Sequence, residues 1–178
     1  MSEKNTYRFL VINPGSTSTK LGVYQDEKLE LEDIVRHSRN EIEKYSTIVE
    51  QKDMRRTLIE KLIADYGLNM SDFDAIVGRG GLVKPIDSGV YSVNERMLYD
   101  LTHSTAATHA SSLGGIIAAE IAKTIGKPAF VVDPIVVDEL DPFARLSGMP
   151  GIERRSVFHA LNQKAIARVY ARQIKKNT

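Results

Sequence analysis

Apolar residues near the N-terminus fall into three short runs, at 7–13, 19–25 and about 28–36, separated by turn residues. Runs of that length and spacing predict three strands in a meander, with Gln25-Asp26-Glu27-Lys28 as the second turn. Residues 37–47, led by His37-Ser38-Arg39-Asn40-Glu41, are polar and read as a surface connection. Between Val49 and Tyr66 the apolar positions Val49, Met54, Leu58, Leu62 and Ile63 follow helical spacing, and Gly67 supplies a C-cap. Phe73-Asp74-Ala75-Ile76-Val77 is a short buried strand that runs into Gly78-Arg79-Gly80-Gly81. Asn94 caps a helix through Leu101. Ser111 or Ser112 opens another that ends near Gly126, and residues 128–133 form a second buried strand. Ser156 caps a final helix whose inner face is Phe158, Leu161, Ala165, Val169 and Tyr170. A meander followed by alternating helices and strands predicts an α/β domain: a mixed sheet of five strands with helices on both faces.

Composition narrows the class. The 178 residues fit one domain with a real core, and 42% hydrophobic with 26% charged residues is globular. A net charge of +1 gives no support for a nucleic-acid or acidic-membrane partner. The absence of cysteine excludes disulfides, thiolate nucleophiles and zinc–thiolate sites. Met1 to Arg8 is polar, without the apolar core of a signal peptide, and no apolar run approaches the ~20 residues of a membrane span. The expectation is a soluble, cytoplasmic protein without repeats.

Polar clusters collect at the predicted strand ends, where open α/β sheets bind ligands. The first is Asn13-Pro14-Gly15-Ser16-Thr17-Ser18-Thr19-Lys20. Gly15 admits close approach of an anion, successive backbone N–H groups form a concavity for it, and four hydroxyls and an ammonium add donors. It is no Walker A loop, which needs a second glycine and a following helix; taken alone it also reads as a polar hairpin turn. The second cluster is Gly78-Arg79-Gly80-Gly81, where glycines let a guanidinium turn into a cleft and meet a carboxylate or phosphate with its fork; a solvated arginine in a glycine-rich turn is the alternative. The third is Asp133, placed to hold a magnesium-bound water or to cap whatever follows Pro134. His109 precedes a helix start, and His159 lies in the first turn of the last helix, after Arg154-Arg155-Ser156. His37 and His103 lack such settings and stay outside the site. Neither a glycosidase carboxylate pair nor a transition-metal motif is present.

In order along the chain, the cradle, Gly78-Arg79-Gly80-Gly81-Leu82, Thr108-His109-Ala110-Ser111, Val132-Asp133-Pro134-Ile135-Val136-Val137-Asp138-Glu139 and the stretch from Arg154 to Lys164 resemble butyrate kinase. That family stands in the acetate-kinase group of the actin and sugar-kinase superfamily, with its ribonuclease-H-like domain. Acetate kinase itself is less similar, with alanine at the Pro14 position and Phe-His-Gly-Thr where this chain has Phe158-His159-Ala160-Leu161. The resemblance implies phosphoryl transfer between ATP and butyrate, giving butyryl phosphate and ADP. It implies catalytic roles for Asn13, Arg79, Asp133 and His159. The phosphate contacts would come from Asn13, Gly15, Ser16, Thr17, Ser18 and Lys20. Arg79 would hold the carboxylate, His109 would orient substrate or phosphate, and Asp133 would hold Mg2+ through water. An apolar wall for the acyl chain is expected among Val83, Pro85 and Val90, since each buried CH₂ contributes ~0.8 kcal/mol. Residues 1–178 then read as the first domain only, without the family's ATP-binding second domain and without turnover alone. The whole enzyme of the family is a homo-oligomer, with much of its interface in that second domain. Two other readings remain: a kinase for a branched acid such as isobutyrate, and a non-catalytic binding domain that reuses the fold.

Overall fold

The computed structural model describes residues 6–103 and 109–175; Thr108, in the third motif, lies outside them. Three N-terminal strands form the meander: β1 (Arg8–Pro14), β2 (Ser18–Gln25) and β3 (Lys28–Arg36). Then come α1 (Arg39–Ile42), α2 (Lys52–Asp65), β4 (Ala75–Arg79), β5 (Val90–Ser92), α3 (Glu95–His103), α4 (Ser112–Ile125), β6 (Ala129–Val132) and α5 (Ala160–Gln173). The strands make one mixed sheet in the order β3-β2-β1-β4-β6-β5. β1, β4 and β6 run parallel, so their C-terminal ends share one edge; β2, β3 and β5 pair antiparallel.

Alternation along the strands divides the sheet. Leu10, Ile12, Leu21, Val23 and Ile76 form one core with Ile59 and Ile63 of α2 and Leu113, Ile117 and Ile121 of α4, all essentially without exposure. Phe9, Val11, Val77 and Phe130 point to the opposite face, where Leu161 and Ala165 of α5 close one side of an open cavity of about 580 Å³. Helices α2 and α4 thus pack on one face, while on the other only the start of α5 reaches the sheet. α2 ends in a Schellman motif: Gly67 takes φ +73°, its N–H reaches the Ala64 carbonyl, and the Leu68 N–H reaches that of Ile63.

Five expectations are corrected. The sheet has six strands rather than five; β5, only three residues long, adds an edge beside β6. The polar stretch after β3 contains α1, held by a capping box between Ser38 and Glu41. In α2 the centre of the inner face is Arg55, Ile59 and Ile63, so Met54, Leu58 and Leu62 are only half-buried. Ser156 does not cap the last helix: its hydroxyl donates to the Val137 carbonyl at 2.5 Å, and α5 starts only at Ala160. Past its first turns α5 leaves the sheet. Val169 and Tyr170 of the expected inner face are about half exposed, and Ala171 alone is buried there.

α4 stands unusually close to β4. A β-carbon on Gly78 would lie 2.3 Å from the Gly114 backbone, and one on Gly114 would lie 2.8 Å from the Arg79 carbonyl and 3.3 Å from the Pro14 ring. These bare backbones seat the helix start against the ends of β1 and β4, where the polar clusters sit.

Candidate active site

The parallel register sets the clusters in a row. Ile12 pairs with Gly78, and Arg79 pairs with Val132, so Asn13, Arg79 and Asp133 emerge side by side at the C-terminal edge. Asp133 is the hub. One carboxylate oxygen lies 3.4 Å from the Arg79 guanidinium and 3.3 Å from Nδ1 of His159. The other accepts the Leu161 N–H at 3.2 Å, capping the first turn of α5. The Asp133 carbonyl also lies 3.2 Å from Nδ1 of His159. Asp133 is 6% exposed and takes φ +52°, a left-handed conformation that side-chain-bearing residues hold only when their surroundings enforce it. Three partners on one buried carboxylate supply that enforcement.

Gly80 and Gly81, at φ +87° and +115°, turn the chain after Arg79 back onto the start of α4. There a β-carbon on Gly80 would touch Ser111, and the Leu82 N–H meets the Ser112 hydroxyl at 3.4 Å. The Ser111 N–H donates to Nδ1 of His109, which also lies 2.7 Å from the Ser111 hydroxyl. The second and third motifs are thus one surface.

The cradle is a tight turn closed by the Gly15 N–H on the Ser18 carbonyl at 2.7 Å. Ser16 and Thr17 are exposed at its tip. Lys20 pairs in register with Asn13 and lies 2.8 Å from Glu32 on β3. Val90 lines the cavity beside Arg79 and Asp133. Val83 and Pro85 line a different, larger cavity of about 1170 Å³, together with Arg154 and Arg155.

Two residues absent from the expected site stand behind the cradle. Arg55 is fully buried, and its guanidinium donates to the carbonyls of Gly15, Ser16 and Ser18 and to the Thr19 hydroxyl. His37 places Nε2 2.9 Å from that hydroxyl. Because Thr19 accepts from Arg55, its own proton goes to Nε2, which leaves the His37 proton on Nδ1, buried and without an acceptor. The sequence signal for Arg55 was a charge four residues before Ile59 on the buried stripe of α2. The signal for His37 was weaker still, a histidine directly after a strand.

Burial, and next the Arg55 charge, pushes the His37 imidazole from 6.5 down to about 4. A histidine held neutral in the fold stabilises it fully above pH 6.5, and that stability is lost as pH falls toward 4. Wild type should lose about 2 kcal/mol of unfolding free energy between pH 7.5 and 5 from this group. Urea titrations at both pH values check it: His37→Gln should lose correspondingly less, and an equal loss in both proteins would rule His37 out.

No family model matches the chain. Acetate kinase of Porphyromonas gingivalis superposes with a TM-score of 0.65 over 96% of this chain and 50% of that one, at 11% identity. Propionate kinase of Francisella tularensis gives 0.62 over 97% and 50%, at 15% identity. The fold is therefore the acetate-kinase-like form of the actin and sugar-kinase fold. Over 170 residues, 96% of its length, the chain is 56% identical to butyrate kinase 1 of Clostridium acetobutylicum. It spans 48% of that relative and 50% of each of the two kinase structures.

Proposed function

We propose that this chain is the carboxylate- and phosphoryl-binding half of a cytoplasmic butyrate kinase, an enzyme that makes butyryl phosphate and ADP from butyrate and ATP. The observation that carries the reading is the row of Asn13, Arg79 and Asp133 at one sheet edge, with His159 drawn onto the same carboxylate. The rest of the relatives' length would supply the ATP site and most of the subunit interface.

Butyrate, with a pKa near ~4–5, is ionised at neutral pH, so the reaction needs no strong base. It needs two anions aligned against their repulsion and charge stabilised on the equatorial oxygens. Arg79 offers its fork to the carboxylate, with Asp133 fixing the direction of that fork. A carboxylate oxygen attacks the γ-phosphorus as the bond to ADP breaks. The Ser16 and Thr17 amides, Asn13 and Lys20 face the transferring group, and His159, held by Asp133, hydrogen-bonds its oxygens. His109 would help orient substrate or phosphate. Of the three expected wall residues, Val90, which lines the cavity beside Arg79 and Asp133, is the proposed apolar surface for the acyl chain; Val83 and Pro85 line the other cavity.

Among the described residues no three His, Asp or Glu side chains cluster as a metal cage. One carboxylate suits Mg2+, which keeps most of its water and uses one or two carboxylates beside phosphate oxygens. Asp133 would hold it through water, and the ion would neutralise charge on the phosphates.

The test traps butyryl phosphate as a hydroxamate, with ATP, Mg2+ and butyrate. The chain alone should give no signal, and the chain with the segment completing the relatives' length should turn over. Failure of the completed protein on butyrate would reject the reading. In that protein Arg79→Ala should raise KM for butyrate about tenfold or more and lower kcat; unchanged kinetics would remove Arg79 from the site.

A further inference from the structure

Arg55 is a buried cation without an acid. Its fully buried guanidinium is spent on neutral acceptors: Gly15 O at 2.8 Å, Ser16 O at 3.0 Å, Ser18 O at 3.3 Å, Thr19 Oγ1 at 3.2 Å and Gln51 Oε1 at 2.9 Å. Among the described residues no carboxylate lies within ion-pair distance of it. A charge taken out of water is costly unless an opposite charge or several dipoles answer it. Here three carbonyl dipoles answer it, and all three belong to one turn.

The consequence follows from peptide geometry. In a trans peptide the C=O and the next residue's N–H point in opposite directions, and every peptide described is trans. Drawing the Gly15 and Ser16 carbonyls inward onto Arg55 aims the Ser16 and Thr17 N–H groups outward. Those residues are exposed, and among the described residues neither N–H has a protein acceptor. The outer side of the turn is therefore two free donors with a positive charge behind them.

We infer that Arg55 is a positioning residue for the transferred phosphoryl group, fixing the cradle's amides toward it and balancing its charge through the turn. This rests on the kinase reading for the identity of the anion, and it adds a residue that touches neither substrate. Arg55 sits on α2, so the cradle is oriented by a helix some forty residues away rather than by the hairpin's own turn preferences. Lysine would keep the charge but could not reach three carbonyls at once.

Inorganic phosphate is the probe, added to the 178-residue chain and followed by amide NMR. Phosphate should shift the Ser16 and Thr17 amide signals in wild type. Arg55→Lys, shown to be folded by circular dichroism, should bind it at least tenfold more weakly. A folded Arg55→Lys that binds phosphate like wild type would overturn the inference. Should the variant fail to fold, the wild-type titration decides. Phosphate that moves both amides together with the Arg55 Nε–H signal supports the inference, and phosphate that moves none of the three overturns it. The hydroxamate assay judges the kinase reading separately, so failure here leaves that reading to its own test.

Discussion

Gly78→Ala should cost this chain about 3 kcal/mol or more of folding stability, although it adds a single methyl group. That methyl would lie 2.3 Å from the Gly114 carbon and oxygen and 2.7 Å from the Gly115 nitrogen. All three are backbone atoms of α4, so no rotamer change relieves the contact; the helix has to move as a body. Its far side is held by Leu113, Ile117 and Ile121 in the core, which are without exposure. Moving α4 therefore opens space on one side while relieving a clash on the other, and close-packed interiors penalise both. Against the ~5–15 kcal/mol that holds a typical domain together, this is a large fraction. Urea denaturation followed by circular dichroism measures it, with Gly89→Ala as a control, because a β-carbon there meets only the Tyr91 ring at 3.4 Å. A loss below about 1 kcal/mol at Gly78 would mean that α4 is not clamped to β4.

The same contact shows what was legible beforehand. The meander, α2, β4, α3, α4 and β6 follow from apolar spacing and punctuating glycines, because each buries a face of its own against the sheet. β5 was missed: three residues, two of them exposed, carry no periodicity and gain their structure only from pairing with β6. α1 was legible but unread, since Ser38 and Glu41 stand three apart as a capping box requires. The inner face assigned to α5 failed for a different reason. Its apolar stripe exists, but beyond Ala165 only Ala171 is buried, and Ile166, Val169 and Tyr170 stay about half exposed or more.

In the site, strand-end logic brought Asn13, Arg79 and Asp133 together correctly, because parallel register alone aligns those positions. The contact of His159 with Asp133 spans 26 residues, and neither spacing nor motif order predicted it. Arg55 and His37 stayed hidden because their partners are carbonyls and a hydroxyl of the cradle, groups that leave no mark on a residue pattern.

Asp133→Asn should leave the fold intact and cut butyryl-phosphate formation in the completed protein by about 10²–10³-fold. Asparagine tolerates the left-handed φ of +52° and keeps an oxygen for the Leu161 N–H, so the cap of α5 survives. What disappears is the negative charge between Arg79 and His159, 3.4 and 3.3 Å away. Without it the guanidinium is free to swing toward water, the imidazole loses the group that sets its tautomer, and the proposed Mg2+ loses its anchor. Asp133→Ala makes the contrast. It puts a methyl residue into left-handed backbone and orphans the Leu161 N–H, each worth roughly 1 kcal/mol or more, so it should lower stability as well as turnover. Thermal unfolding and hydroxamate kinetics on both variants separate the effects. Equal stability with kcat/KM within a few-fold of wild type for Asp133→Asn would show that the carboxylate only caps α5. The site would then have to be rebuilt around Arg79 and the cradle without it.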